Sequence, residues 1–311
     1  MSLTNRRTCC AAVTALLLCF AAAPPAVAQK LAAIARPPAA QSTGSARGFF
    51  WKVERDGRHA WLVGSMHLAT PDFYPLPPAL ENAFADSDVL MEELDLNEAN
   101  DPSVAAAILQ KALNPPGATL SSQLSRETVA VVTTFLAKRG MNVEALQAMK
   151  PWMVSMTVQM LALQQLGFDP KLGIDQHFQT AAVRARKRLQ PLETALEQVT
   201  FLDSLSPRTQ DLLLRESVEA AESESAQITA IAAAWRAGDA AAMERIALSD
   251  MNDAPEVYET LLAGRNRRWM PKVESCIQTS RCFVVVGAAH LLGRDGLIAL
   301  LKARGYSVVQ Q

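Results

Sequence analysis

Histidine, cysteine and tyrosine are scarce in this chain: four, five and three in 311 residues. There is no His-Glu-x-x-His pair, no Gly-x-Ser-x-Gly elbow, no phosphate-cradling glycine-rich loop and no dinucleotide fingerprint. The familiar zinc-protease, serine-hydrolase and nucleotide-binding signatures are therefore missing. An excess of either charge is missing too, with 30 basic against 31 acidic residues, so composition suggests neither nucleic acid nor an anionic membrane as a partner. The apolar run Ala11 to Ala23 falls well short of the roughly 20 residues that a membrane span needs, and no membrane span is expected in the mature chain.

What is present begins at the N-terminus. Arg6 and Arg7, the apolar run and the small-x-small sequence Ala26-Val27-Ala28 predict a secretory signal peptide over residues 1–28, cut after Ala28, and a periplasmic or secreted protein. The arginine pair hints at twin-arginine export, although Thr8, Cys9 and Cys10 do not continue that pattern. Residues 29–47 are rich in Ala, Pro, Ser and Gly and read as a flexible linker ahead of a domain over 48–311. Three cysteines leave with the signal. Cys276 and Cys282 remain, and in an oxidising compartment the pair is expected to form a disulfide worth roughly 2 kcal/mol in the chain-entropy model.

Strand candidates are Phe49–Glu54, Trp61–Met66, Val89–Leu94, Arg188–Leu192, Cys282–Gly287 and Tyr306–Val309. Helical patterns fill the intervals, with Ser125 placed to cap one helix and Pro151 to open another. The fold class is α/β (α+β): a mixed central sheet from strand pairs near both chain ends, flanked by helices, with a large helical insertion between about Pro102 and Gln278.

Two of the four histidines occupy matched positions. Leu62-Val63-Gly64-Ser65-Met66-His67 and Val285-Val286-Gly287-Ala288-Ala289-His290 each run an apolar strand into Gly-x-x-His, with the glycine expected to permit a tight turn. Sites in open α/β sheets lie outside the strands' carboxyl ends, where these two imidazoles would converge. Imidazole serves there as a metal ligand or an acid–base group. A third ligand is sought in Val89–Asp95, whose acids interrupt an apolar strand. Glu92 and Glu93 should point to opposite faces, so at most one would face the site.

Arg265 shares a four-residue stripe with Leu261 and Trp269, which lets it reach inward to pair with a carboxylate or polarise a carbonyl, with Asn266 beside it as a further donor. Glu193 closes a strand and is placed to reach the same mouth. Asp175 reads as an N-cap or first-turn acid more than as a ligand. His177 is equally suited to the site or to helix packing, and His59, in a charged turn, reads as exposed.

The segments Leu62–His67, Asp72–Pro77, Glu93-Leu94-Asp95, Lys150-Pro151-Trp152, Gly173–Phe178, Leu192-Glu193-Thr194, Arg265–Trp269 and Val286–Leu291, in this order and spacing, resemble the bacterial TraB/GumN (YbaP-like) family from about Phe50 to the C-terminus. That family is similar to the animal Tiki metal-dependent proteases and, more distantly, to erythromycin-esterase-like and haem-binding ChaN-like proteins. The resemblance implies a mixed sheet with flanking helices and a site built from both Gly-x-x-His motifs. It favours Glu93 over Glu92 and carries Arg265 and Asn266 over as site residues. Ser65-Met66 and Ala288-Ala289 depart from the Thr and aliphatic residues common inside the motifs.

The reading is then a periplasmic metallohydrolase, a peptidase acting on a peptide or protein. His67, His290 and Glu93 would hold a divalent Mn, Co or Zn ion, Arg265 or Asn266 would steady the oxyanion, and Glu193 or Glu92 would serve as base. The rival reading is a non-catalytic binder of a signalling peptide or of haem in the same cleft.

Overall fold

The computed structural model describes residues 47–99, 101–223 and 225–311. The signal-peptide reading and all of the linker except Arg47 fall outside the described residues. Six strands form one mixed sheet: β1 (Phe50–Arg55), β2 (Arg58–Ser65), β3 (Val89–Glu92), β4 (Arg188–Pro191), β5 (Cys282–Gly287) and β6 (Ser307–Gln310). Their order is β4-β3-β5-β2-β1-β6. The expected strands are all present, Cys282–Gly287 with both ends as expected and the others with ends displaced by at most three residues. The largest shortening is at β3, which stops at Glu92 rather than Leu94.

The sequence explains the layout. Every residue of β5 is buried, as suits a strand covered on both faces, and it lies centrally between parallel neighbours β3 and β2. Asp56 and Gly57 both take positive φ, the backbone of a two-residue hairpin turn, and join β1 to β2 antiparallel. The antiparallel edge is completed by β6 on β1.

Numbering only the longer helices, the remainder comprises α1 (Pro78–Ala85), α2 (Pro102–Ala112), α3 (Arg126–Ala137), α4 (Pro151–Gln165), α5 (Ile174–Ala185), α6 (Ala195–Asp203), α7 (Pro207–Ser223), α8 (Ser225–Ala237), α9 (Ala240–Leu248), α10 (Gly264–Thr279) and α11 (Leu297–Ala303). Ser125 caps α3 through the backbone N–H of Thr128, and Pro151 opens α4. Asp203 gathers the flanking residues of that proline, accepting from Lys150 Nζ at 2.7 Å and Trp152 Nε1 at 3.1 Å. Met153, Met156 and Met160 are buried, as expected of a core helix.

Helices cover both faces of the sheet. On one face, Phe178 of α5 meets Phe283 of β5 with ring centroids 4.7 Å apart. Cys282 precedes Phe283 and so points to the opposite face, where its disulfide to Cys276 pins the last turn of α10. That bond fixes α10, the carrier of Arg265 and Asn266, to the strand that leads into His290.

Candidate functional site

Neighbouring β2 and β5 place the two Gly-x-x-His motifs side by side, with Ser65 opposite Gly287 and, one strand further, Glu92 opposite Val285. Beyond Gly287 the chain turns into a short 3-10 helix, Ala288–Leu291, that carries His290. Neither motif glycine has a positive φ, so the expected turning role is corrected to one of close approach. A Cβ on Gly287 would lie 3.1 Å from His67 Nε2 and 3.2 Å from Glu93 Oε1, and one on Gly64 would strike the Phe49 ring at 2.5 Å and the Ala288 backbone at 3.0 Å. The missing side chains make room for the cluster and for the packing behind it.

The imidazoles converge. His67 Nε2 and His290 Nε2 each lie 3.8 Å from the same oxygen, Glu93 Oε1. Each ring is held from behind through Nδ1, His67 by Asp175 Oδ2 at 2.8 Å and His290 by Asn266 Oδ1 at 2.7 Å. The Asn266 amide nitrogen donates to the carbonyls of His290 and Asp295 at 3.2 and 2.8 Å, which leaves its oxygen as the acceptor and makes His290 Nδ1 the donor. The lone pair of His290 therefore sits on Nε2. The carboxylate of Asp175 likewise requires a proton on His67 Nδ1 and turns its Nε2 inward. Both rings thus have the second-shell anchoring typical of metal-binding histidines.

Asp175 is a first-turn acid of α5, and it also orients His67. Asn266 is corrected in the other sense: both ends of its amide are engaged in holding His290 and the following loop, so it is not available to steady an oxyanion.

Arg265 does reach inward and is fully buried. Its Nη2 bonds Glu93 Oε2 at 2.6 Å and Glu193 Oε1 at 2.5 Å, and its Nη1 donates to His290 Nε2 at 3.1 Å and to the carbonyl of Leu261. A π-helical turn, Glu259–Ala263, immediately precedes it and positions that carbonyl, a departure from α geometry that recurs at functional sites. Sequence reasoning missed two further donors. Trp269, read only as core, gives its indole N–H to Glu193 Oε2 at 3.0 Å. Gln198 Nε2 lies 3.3 Å from both Glu93 Oε2 and Glu193 Oε1, and no local pattern marks it, since it follows the Thr194 capping box like any first-turn residue of α6.

The two carboxyls that share Arg265 are driven apart. Burial pushes Glu93 upward, but Arg265, His290, His67 and the N–H of Gly287, at 2.7 Å, outweigh it and hold the group well below the usual carboxylate range. In Glu193 burial prevails over Arg265, the negative charge of Glu93 adds to it, and the pKa is raised. Burial also takes His290 down to about 3, against the pull of Glu93, so it is neutral at physiological pH.

Glu92 is buried as well. Because β3 ends there and Glu93 lies in a bend, the strict alternation expected for the pair gives way. Glu92 lies on the α5 face, yet its carboxyl feels His67, and burial, Asp175 and Asp95 raise its pKa well above normal. Both acids therefore border the site. His177 does not join it: its Nε2 bonds Glu81 at 2.8 Å and its ring lies against Tyr74. His59 is partly covered and pairs with Asp86.

The donor set of His67 Nε2, His290 Nε2 and Glu93 Oε1 suits a divalent ion, for which imidazole and carboxylate ligands sit at about 2.0–2.2 Å. Among the described residues no three His, Cys, Asp or Glu side chains are drawn together as a ligand group, and Arg265 Nη1 occupies the Nε2 edge of His290. Binding would require that guanidinium to withdraw. Four acids border this region: Glu93 and Glu193 share Arg265, and Asp175 and Glu92 lie about His67.

Comparison with known proteins identifies a family. The model of the TraB/PrgY/gumN family matches residues 49–310. The uncharacterized protein YbaP of Shigella flexneri and that of Escherichia coli (strain K12) are each 25% identical over 245 residues, 79% of this chain and 88% of theirs. No solved structure is a significant match. Among the described residues no helix is long and apolar enough to cross a membrane.

Proposed function

The chain belongs to the TraB/PrgY/gumN family, and from that membership and the buried cluster we propose a metal-dependent hydrolase, a peptidase acting in the periplasm or outside the cell. One observation carries the reading: two imidazoles from opposite ends of the chain, each fixed through Nδ1, turn Nε2 toward one Glu93 oxygen. His67, His290 and Glu93 would hold the ion, and Mn, Co and Zn all accept these donors. When bound, such an ion lowers the pKa of its water toward 7 and supplies hydroxide at neutral pH.

The remaining work falls to this chain's own groups. Glu193, with its raised pKa, would take the proton lost by the attacking water and deliver it to the leaving amine. Arg265, displaced from His290, keeps its hold on Glu193 and offers Nη1 to the oxygen that gains negative charge. Gln198 and Trp269 keep the Glu193 carboxyl in place meanwhile. The Cys276–Cys282 disulfide and the signal-like residues 1–28 support an oxidising compartment.

The test is metal analysis of the purified protein with peptide cleavage in Mn²⁺, Co²⁺ or Zn²⁺. Cleavage is expected in the wild type and none after His67→Ala with His290→Ala; activity retained in that double variant rejects the mechanism. The internal pairing of Arg265 with both glutamates favours a second reading, a binder that holds a peptide signal without cutting it. Measurable affinity with intact peptide after long incubation with each metal supports that one.

A further inference from the structure

Two buried polar atoms on the α5 face have no hydrogen-bond partner among the described residues, Glu92 Oε1 and Ser65 Oγ. Glu92 is 5% exposed and Ser65 2%. The register sets Glu92 beside Val285 and Ser65 beside Gly287, so both project from the same face with β5 between them. Between them the His67 edge fills the space that a Gly287 side chain would take. Acids outweigh cations around Glu92. Asp175 and Asp95 both act on it more strongly than His67, which opposes them; Arg265 is engaged by Glu93 and Glu193.

A buried carboxyl oxygen left unpaired is costly, so the occupant that completes this one must donate hydrogen bonds. An anion is excluded by three neighbouring carboxyls. An ammonium group meets every condition, bringing several N–H donors and the compensating charge.

We propose that Glu92, with Asp175 and Asp95 around it and Ser65 across the row, is an ammonium subsite beside His67 that seats a substrate peptide by its free amine. The word substrate rests on the hydrolase reading; the binding preference does not. Two sources of the same chemistry, the α-amino group and a lysine side chain, are separated by the probes.

The experiment measures affinity of the purified protein in EDTA for trialanine amide, for its N-acetylated form, and for N-acetyl-Ala-Lys-Ala amide. Trialanine amide is expected to bind at least about tenfold tighter than the acetylated form, as for a hydrogen bond to a charged group, and Glu92→Gln should shrink that ratio below about twofold. Tight binding of the lysine peptide also supports the subsite and assigns it to side-chain amines as well. Should the variant fail to fold, competition on the wild type decides, with n-butylammonium displacing trialanine amide and n-butanol not. No measurable binding of trialanine amide, equal affinity for all three peptides, a ratio that survives in Glu92→Gln, or equal competition by the alcohol would overturn the proposal and assign both atoms to buried water. Cleavage is scored separately with Mn²⁺: preference without cleavage leaves the subsite standing and removes the hydrolase, and cleavage without preference does the reverse.

Discussion

The two Gly-x-x-His motifs share a pattern and adjacent strands, yet the fold gives them different partners. His67 is backed by a carboxylate, Asp175, and its motif glycine makes room for the Phe49 ring and the Ala288 backbone. His290 is backed by an amide, Asn266, faces the Arg265 guanidinium, and its motif glycine makes room for His67 and Glu93. A repeat in sequence therefore does not make a symmetric site. The carboxylate strengthens His67 as an electron donor, while His290 is kept neutral by burial beside a cation.

That contrast can be broken from either side. The largest effect is expected from Arg265→Ala, which strikes the His290 side and leaves Glu93 and Glu193 buried without their counter-ion; a loss of about 3–5 kcal/mol should appear in urea denaturation at pH 7 and shrink at lower pH as the carboxyls take up protons. Asp175→Asn strikes the His67 side alone. It keeps the shape and removes the charge, and it should weaken metal affinity by about 10–100-fold in competition with a chelating dye, with a much smaller change in stability.

The glycines sharpen the comparison further. Gly64→Ala meets a ring and a backbone that have little freedom to move, and should cost about 1–3 kcal/mol in thermal unfolding. Gly287→Ala meets the ends of two side chains, so its stability loss should be smaller and its loss of metal-dependent cleavage larger. Equal behaviour of the two variants would end the distinction between a packing glycine and a site glycine.

The smallest effect is in pH dependence. The folded-state pKa of His290 is lowered from 6.5 to about 3, so the unfolded chain takes up the proton first and stability falls as pH drops from 6.5 toward 3. Glu193, raised in the folded state, has the opposite sign, contributing stability at low pH that is lost as pH rises through its folded pKa. Replacing His290 with Gln should flatten the acid limb of a plot of urea midpoint against pH, and an unchanged slope would refute the assignment.

Much of this site was legible in the chain. The apolar runs located five of the strands closely, the stripe Leu261-Arg265-Trp269 turned Arg265 inward, and Glu193 followed from closing its strand. Legibility failed where a contact depended on distant chain. Asp175 read as a helix-start acid because that is all its neighbours reveal, and its bond to His67 spans 108 residues. Asn266 was taken for a donor toward substrate because sequence does not show that the carbonyls of His290 and Asp295 already occupy its amide. His177 reads as equally suited to the site or to helix packing, and the helical turn carries it to Glu81, away from the site. The alternation rule for Glu92 and Glu93 assumed a strand that continued, and β3 ends between them.

By itself the sequence determined which side chains stand at the ends of buried strands and which face of α10 turns inward, because hydrophobic periodicity is local and burial follows it. Only the tertiary structure decided which acceptor each imidazole found, and that of the two carboxyls sharing Arg265 one, Glu93, has its pKa held down while burial raises that of the other, Glu193. Those outcomes depend on distances of a few ångströms between residues as far apart in the chain as Glu93 and Arg265, and burial makes each of them count.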